Sequence, residues 1–190
     1  IALRLGCKGY NFTYVNGGNS FENALLDAKL LIENDEENTV LVGGIDEISD
    51  YTLSLLKKIS LVKKESDLID FKEPQSTGVP FGEGAHFLAL SNQKTKQSYA
   101  IVKDVLVLNK INESDFTQVL TEFMNQNNLH ISNIDGLIIG RNSDTNFNTN
   151  YEILETVFEE TPQIYYKHLS AEYDTASAFG ALVAASILKN

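Results

Sequence analysis

Apolar and polar residues follow two periods along this chain, one typical of amphipathic helices and one typical of buried strands. Apolar residues recur at helical spacing over residues 21–32, where Asn19 or Ser20 can cap the first turn by accepting a backbone N–H. The same patterns predict helices over residues 49–59, 114–127, 151–159 and 176–188, and strands over residues 39–44, 86–90, 98–108, 135–140 and 163–167.

The order of these elements alternates between strands and helices, which predicts an α/β fold with a largely parallel sheet. Residues 60–80 interrupt the alternation, carry mixed charge and contain two of the three prolines. They are predicted to form a loop that is long enough to be functional or mobile. The last helix, residues 176–188, is rich in alanine, glycine and serine, so we expect it to pack closely against its neighbours and to be deeply buried.

Composition and charge narrow the class of protein. With 190 residues, 43% of them hydrophobic, the chain can bury a core and is one domain or part of a larger one. A net charge of −11 disfavours nucleic-acid binding, and the lysines cluster only weakly, at Lys57-Lys58 and Lys63-Lys64, where we expect solvated side chains. No apolar run approaches the roughly 20 residues of a membrane span. A single cysteine fits a reducing compartment, so we expect a soluble cytoplasmic protein.

Few residues are candidates for chemistry. The three histidines are far apart in the sequence, so we expect no metal site. We also expect no cofactor, because the glycines of residues 82–85 precede a strand pattern, whereas a dinucleotide loop opens a helix. Cys7 has no nearby histidine and is expected to be a small buried hydrophobe. Ser20 is the only hydroxyl in the turn that enters the first helix, but no base accompanies it, which favours capping over nucleophilic attack.

Six segments occur in an order and at a spacing that resemble one known family. They are Gly-Tyr-Asn-Phe-Thr at 9–13, Asn-Ala-Leu-Leu-Asp-Ala at 23–28, Thr-Val-Leu-Val-Gly-Gly-Ile-Asp-Glu at 39–47, Gly-Val-Pro-Phe-Gly-Glu-Gly-Ala at 78–85, Asp-Gly-Leu-Ile-Ile-Gly at 135–140 and Tyr-Lys-His-Leu-Ser-Ala at 166–171. The chain resembles the β-ketoacyl-[acyl-carrier-protein] synthases, the condensing enzymes of the thiolase fold, over nearly its whole length.

This resemblance implies a partial thiolase-like fold, with mixed, mostly parallel sheets and helices packed between and around them. Residues 1–97 resemble the end of the family's N-terminal half, and residues 98–190 resemble an incomplete C-terminal half. The family's chains are longer, since neither the beginning of their N-terminal repeat nor their closing hairpin has a counterpart here. The first residues match neither an initiator methionine nor a signal peptide, so we expect a fragment of a longer chain.

The resemblance also places the family's catalytic residues on positions that have lost them. The nucleophilic cysteine falls on Gly18, the first histidine near Arg141 and the second on Glu172. Only Lys167 keeps the family's residue type. Condensation needs a thiolate to hold the acyl chain, and an ionised Glu172 would accept hydrogen bonds only and repel a developing enolate. A register shift of one or two residues leaves Ser20 as a candidate substitute nucleophile.

Such a chain resembles the chain-length factors, which pair with an active synthase and shape its acyl tunnel in fatty-acid or polyketide biosynthesis, here of the aryl-polyene type. The resemblance implies an acyl carrier protein and an active synthase paralogue as partners, and a dimer in which residues 11–15 pair across the two-fold axis. Two alternatives remain. One is an active condensing or decarboxylating synthase with a shifted site around Ser20, Arg141, Lys167 and Glu172, and the other is a non-catalytic module that binds acyl chains.

Overall fold

The computed structural model describes residues 2–189 as helices arranged around two small sheets. The helices are α1 (Ala2–Leu5), α2 (Ser20–Glu33), α3 (Asp50–Lys58), α4 (Glu113–Gln126), α5 (Asn148–Val157), α6 (Lys167–Ser170) and α7 (Ala176–Lys189). The strands are β1 (Thr39–Asp46), β2 (Gly84–Ser91), β3 (Leu137–Ile139) and β4 (Gln163–Tyr165), and short 3₁₀ turns occupy Gly17–Asn19, Ile131–Asn133 and Thr145–Phe147. Within residues 2–189, no helix is both long and apolar enough to cross a membrane.

The first sheet is the antiparallel pair of β1 and β2, in which Thr39 lies opposite Ser91 and Asp46 lies opposite Gly84. Successive side chains of a strand point to opposite faces, and one face of this sheet packs against α2 and α7. The apolar stripe predicted over residues 21–32 is the face of α2 that meets the sheet. The core consists of Phe21, Ala28, Val42 and Ala178, with Ala24, Leu25, Val40, Leu88, Leu90 and Ala181 packed around it.

The second sheet is the parallel pair of β3 and β4, in which Leu137 lies opposite Gln163 and Ile139 lies opposite Tyr165. Parallel strands need a crossover connection, and α5 lies between the two strands in the sequence. Ile139 is among the largest fully buried side chains of the described residues. The end of β3 is therefore fixed in the interior, directly before the segment that carries Arg141.

Small residues allow the first half of α7 to approach its neighbours closely. Ala176 and Ala178 are fully buried. Gly180 packs against the aromatic ring of Tyr166, and a Cβ added to this glycine would lie 2.9 Å from the ring carbons. The deep burial expected for this helix is confirmed for its first half, whereas its end is open, with Leu188 70% exposed.

The α/β class is confirmed, but two details of the predicted fold need correction. Residues 98–108 were expected to form a strand, yet they pair with no strand among the described residues. Their alternating pattern reports a local preference for extended backbone and not the presence of a neighbouring strand, and Ile101 is 64% exposed. Among the strands of the described residues, β3 and β4 are the pair that runs parallel, whereas β1 and β2 run antiparallel.

The predicted loop of residues 60–80 contains no helix, and its two ends are tied together. Val62 and Val79 form a parallel bridge. The Val79 N–H donates to the Leu61 carbonyl at 3.0 Å, and the Lys63 N–H donates to the Val79 carbonyl at 3.0 Å. Gly78 adopts a φ of +83°, a left-handed value that glycine reaches without strain. The loop is therefore closed at its base by backbone hydrogen bonds.

Cys7, which was expected to be a buried hydrophobe, is exposed. It follows α1, a helix of 4 residues with no buried side chain. The cysteine lies in a segment that packs on no core, so its apolar character gives it no interior position to occupy.

Candidate functional site

Gly18, which the resemblance matches to the family's nucleophile, lies in the 3₁₀ turn that leads into α2. The turn begins at Gly17, whose φ of +56° favours glycine. Gly18 itself is exposed, and a Cβ placed on it would meet no heavy atom within 4 Å. The surroundings of Gly18 would therefore accommodate a side chain, but the sequence supplies none.

The hydroxyl of Ser20 is used inside the same turn. Ser20 is the first residue of α2 and is 9% exposed. Its Oγ donates to the Gly17 carbonyl at 2.7 Å and accepts from the Asn16 N–H at 2.9 Å. The expectation that Asn19 or Ser20 caps the helix is wrong, because neither side chain accepts an N–H from the first turn of α2. Ser20 instead closes the turn that precedes the helix.

Arg141 follows β3 and is held by an extensive set of hydrogen bonds. Its Nε and Nη2 donate to the two carboxylate oxygens of Glu155 at 2.5 and 2.7 Å, a bidentate pair. Its Nη1 donates to Asn148 Oδ1 at 2.5 Å and to the Lys72 carbonyl at 3.1 Å. The guanidinium also lies over the ring of Tyr151, 5.7 Å from the ring centroid. Arg141 is only 3% exposed and acts as a structural anchor whose charge is directed at Glu155.

The pair of Arg141 and Glu155 shifts both pKa values toward the charged forms. The hydrogen bond from Arg141 lowers the pKa of Glu155, although partial burial opposes the shift. The Tyr165 hydroxyl donates to the same carboxylate at 3.0 Å and adds to this lowering. The hydrogen bond to Glu155 in turn raises the pKa of Arg141. Both groups are ionised at neutral pH.

The segment that begins at Arg141 also holds the loop of residues 60–80. Arg141, Asn142, Ser143 and Asp144 are all buried although all are polar, so they need hydrogen-bond partners. Part of this need is met by backbone carbonyls of the loop, which fixes the middle of the loop against the end of β3. The bonds run from Ser143 Oγ to the Asp70 carbonyl (2.7 Å), from Arg141 Nη1 to the Lys72 carbonyl (3.1 Å) and from the Thr145 N–H to the Ser76 carbonyl (3.3 Å).

Lys167 and Glu172 form an ion pair, with Lys167 Nζ 2.5 Å from Glu172 Oε2 and side chains that are 11% and 20% exposed. The backbone of Glu172 is fixed by the glycine-glutamate segment, because its N–H donates to the Pro80 carbonyl and its carbonyl accepts from the Gly82 N–H, both at 2.9 Å. Glu172, which the resemblance matches to the family's second histidine, is therefore a carboxylate whose charge Lys167 neutralises.

Two tyrosines to which sequence reasoning assigned no role lie beside this ion pair, Tyr166 buried and Tyr151 half-buried. The Tyr151 hydroxyl donates to the Gly140 carbonyl at 2.8 Å. A Cβ added to Gly140 would lie 3.0 Å from the Tyr166 hydroxyl and 3.1 Å from Lys167 Cε. Burial, followed by the negative charge of Glu172, raises the pKa of both Tyr151 and Tyr166, so both phenols stay protonated. We call Gly140, Tyr151, Tyr166, Lys167 and Glu172 the tyrosine cluster.

The structure brings only some of the predicted site residues together. Lys167 and Glu172 meet in the tyrosine cluster, and the β3 end next to Arg141 reaches it through Gly140. Within the described residues, Gly18 and Ser20 form no hydrogen bond with Arg141, Lys167 or Glu172. The start of α2 approaches the cluster at Glu22, whose charge contributes to the raised pKa of Tyr166.

The side chains at this site form hydrogen bonds and compensate one another's charge. Neither a thiol nor an imidazole occupies the matched positions. The His86 ring pairs with the Tyr173 hydroxyl at 3.0 Å, and the His168 ring packs edge-on against Phe71. Within residues 2–189, no group of three histidine, cysteine or acidic side chains is placed to hold a metal ion.

Comparison with known proteins gives similarity in fold and not in sequence. No family model matches the chain, and neither does a curated protein. A β-ketoacyl synthase from Burkholderia phymatum STM815 superposes with a TM-score of 0.76 at 15% identity, over 98% of this chain and 50% of the other. A type II polyketide synthase acyl-carrier protein in complex with its ketosynthase bound to the hexaketide superposes with a TM-score of 0.76 at 14% identity, over 99% of this chain and 52% of the other. The ishigamide ketosynthase/chain length factor superposes with a TM-score of 0.65 at 14% identity, over 92% of this chain and 45% of the other.

These similarities show that the chain has the fold of the ketosynthases. The predicted partial thiolase-like fold is thereby confirmed. The chain spans about half the length of these three structures.

Proposed function

We propose that this chain is a catalytically degenerate ketosynthase-like protein. In this proposal it assembles with an active synthase and helps to shape the acyl tunnel in fatty-acid or polyketide biosynthesis of the aryl-polyene type. The observation that carries the proposal is Gly18, which has no side chain, lies in an exposed turn and is matched by the resemblance to the family's nucleophile. Without a thiolate at this point the acyl chain has no group on which to form a thioester.

The other matched positions support a loss of catalysis. Decarboxylation of a malonyl group needs donors that are directed at the developing charge. Arg141 directs its N–H groups at Glu155, Asn148 and the backbone of the loop, and Glu172 directs its carboxylate at Lys167. We propose that these residues hold the fold together and that none of them acts on a substrate.

The geometry of Ser20 argues against an active synthase with a shifted site. A nucleophilic serine needs a base that accepts its proton. The Ser20 hydroxyl instead donates to the Gly17 carbonyl, which is not a base of that kind, and accepts from the Asn16 N–H. Attack by this oxygen would require the turn before α2 to open.

A hollow on α7 favours a second candidate function, a module that binds acyl chains without a catalytic partner. The hollow has a volume of 280 Å³ and is lined by Phe179, Leu182, Val183, Ser186 and Ile187. Four of these five side chains are apolar, which suits a hydrocarbon chain. Acyl binding by the isolated chain, with no dependence on a synthase, would favour this second function.

We further propose that residues 1–97 and 98–190 correspond to the two halves of a thiolase-like fold. The distribution of the sheets supports this division, because β1 and β2 lie in the first part and β3 and β4 lie in the second. α7 belongs to the second part yet packs on the first sheet as well as on β3. The two parts therefore share one interior and would fold as a unit.

The proposed partners are an active synthase paralogue and an acyl carrier protein. Two neighbours in fold support this, one a ketosynthase in complex with its acyl-carrier protein and one a ketosynthase/chain length factor. We also propose a dimer through residues 11–15, where Phe12 and Val15 are 64% and 87% exposed. The exposed Cys7 is consistent with a reducing compartment, and we propose that the protein acts in the cytoplasm.

Reconstitution tests the proposed function. The chain, an active synthase paralogue and its carrier protein are combined with malonyl and acyl donors, and the products are measured by mass spectrometry. We expect full-length product only when both proteins are present, and a change in product length when Phe179 or Leu182 is replaced by a smaller residue. Malonyl turnover by the isolated chain would contradict the proposal.

A further inference from the structure

Lys63 is a buried lysine without a counter-charge. It lies in the loop of residues 60–80 and is only 8% exposed, which corrects the expectation that this lysine is solvated. Its Nζ donates to the Ser76 carbonyl at 3.1 Å and to Ser76 Oγ at 2.8 Å. Among the described residues, no carboxylate forms an ion pair with Lys63. The lysines that are paired with a carboxylate are Lys29 and Lys167.

An ammonium group in this position is incompletely satisfied. It has three N–H donors, and the two recorded hydrogen bonds both go to Ser76, which is neutral. A buried charge is costly unless it is paired with an opposite charge. The backbone also fixes Lys63 in place, because its N–H donates to the Val79 carbonyl and the tightly packed Gly78 lies against it. The structure therefore holds a positive charge at a defined point.

A hollow with a volume of 430 Å³ opens beside this lysine. Lys57 and Lys64 line it together with Lys63, so three lysines contribute to the lining of one hollow. Glu65 also lines the hollow, and its side chain is exposed, so solvent screens its charge. The local charge in the hollow is positive although the whole chain carries −11.

We propose that this hollow binds a phosphate group, with Lys63 as its central ligand and Lys57 and Lys64 at its rim. A phosphate oxygen would accept the third N–H of Lys63 and supply the missing negative charge. Lysine suits this role because its ammonium is a compact point charge that binds phosphate without a fixed fork geometry. The site is separate from Gly18 and the tyrosine cluster, so it stands independently of the proposed function.

Titration of the full chain with inorganic phosphate tests the proposal. The amide chemical shifts of residues 62–66 are followed by ¹H–¹⁵N NMR, with sodium chloride at the same ionic strength as the control for salt effects. We expect a saturable shift with phosphate and only a small, unsaturating shift with chloride. Glycerol 3-phosphate is titrated in parallel, which distinguishes a site for phosphate esters from one for free phosphate alone.

Three variants link the shift to the lysines. Lys63→Met keeps the volume of the side chain and removes the charge, and should weaken phosphate binding by about tenfold or more. The double variant Lys57→Gln and Lys64→Gln leaves the buried Lys63 intact and should weaken phosphate binding by a smaller factor. It tests the proposal even if Lys63→Met fails to fold. Lys103→Gln, an exposed lysine outside the hollow, should change nothing. Equal responses to phosphate and chloride, or an unchanged response in both lysine variants, would overturn the proposal.

Discussion

Gly17 and Gly18 are neighbours in one turn, yet only Gly17 has a backbone conformation that requires glycine. Gly18→Ala should leave the free energy of unfolding within about 0.5 kcal/mol of the wild type, because the added Cβ meets no atom. Gly17→Ala should cost about 1 kcal/mol or more, since alanine is strained at a φ of +56°. Urea unfolding of the two variants measures the difference. Equal losses in the free energy of unfolding would contradict the positive φ of Gly17 and the open surroundings of Gly18.

The bidentate pair of Arg141 and Glu155 gives a second prediction. Arg141→Ala leaves a partly buried carboxylate without its counter-charge and should destabilise the chain by about 3 kcal/mol. Arg141→Lys keeps the charge but loses the two parallel hydrogen bonds. Its loss of stability should therefore lie between those of the wild type and Arg141→Ala. Chemical denaturation measures both values. A loss below about 0.5 kcal/mol for Arg141→Ala, as for an exposed ion pair, would contradict the anchoring role.

The same pair predicts how stability depends on pH. The pKa of Glu155 is lower in the folded chain than its ordinary value of 4.5. The ionised Glu155 therefore contributes fully to the free energy of unfolding above about pH 4.5, and this contribution is lost as the pH falls through the pKa of Glu155 in the folded chain. The stability difference between the wild type and Glu155→Gln should shrink on acidification. Asp70 and Asp104, whose pKa values are also lowered, are common to both proteins and cancel in this comparison. A difference that is constant with pH would show that Glu155 is not held ionised by Arg141.

Sequence reasoning identified some residues of the site and not others for a physical reason. Lys167 lies in the segment of residues 166–171, and Gly18 and Glu172 lie next to or between such segments, so the resemblance could match all three to family positions. Tyr151 lies in no such segment and Tyr166 only begins the segment of residues 166–171, and the surroundings of both rings depend on how α5 and the segment after β4 pack. Likewise, nothing local indicates that Arg141 faces Glu155, because the two residues meet only when α5 packs beside the segment that follows β3.

At the scale of elements, the close contact between α7 and the segment after β4 is open to test. Glycine is normally unfavourable inside a helix, and alanine in its place usually adds up to about 1 kcal/mol of stability. At Gly180 the sign should reverse, with a loss of about 1–3 kcal/mol, because the new Cβ would press on the Tyr166 ring. Thermal unfolding of Gly180→Ala measures the sign directly. Increased stability would contradict the packing of α7 against Tyr166.

Elements that bury a face were predictable, and an element that depends on a distant neighbour was not. The stripe of α2 and the apolar runs of β1 and β2 were predicted close to their observed limits, because burial sets the periodicity. Residues 98–108 have the same alternation, but a strand also needs a partner for its backbone groups, and the sequence of the segment does not encode that partner. α5 begins at Asn148, inside a polar run that offered no apolar period.

The whole molecule exposes more surface than its length requires. Its accessible surface is 12,722 Å², against about 9,000 Å² for a compact monomer of this size. Part of the excess is an uncharged face of the first sheet, where Leu41, Ile45 and Phe87 are exposed. Exposed apolar side chains that are grouped on one face mark a candidate surface for contact with other parts of an assembly.

Association is the prediction that belongs to this scale. We expect the protein to form a dimer, most stably with an active synthase paralogue, through the exposed residues 11–15. Phe12→Asp with Val15→Asp should raise the dissociation constant by at least tenfold, because two charges would be buried at the interface. Light scattering and analytical ultracentrifugation measure the association, with Lys103→Gln as a control at an exposed site. A stable monomer both alone and beside the paralogue would contradict the proposal.

The most direct test of the central claim is the intact mass of the protein after exposure to an acyl donor. The chain is incubated with an acylated carrier protein, and separately with a cerulenin-type inhibitor that alkylates reactive thiols. Cys7→Ser serves as the background, because the exposed Cys7 would otherwise react as any accessible thiol. With glycine at position 18 and Ser20 engaged in its turn, we predict no increase in mass with either reagent. A covalent acyl adduct on Ser20 would contradict the loss of catalysis on which the proposed function rests.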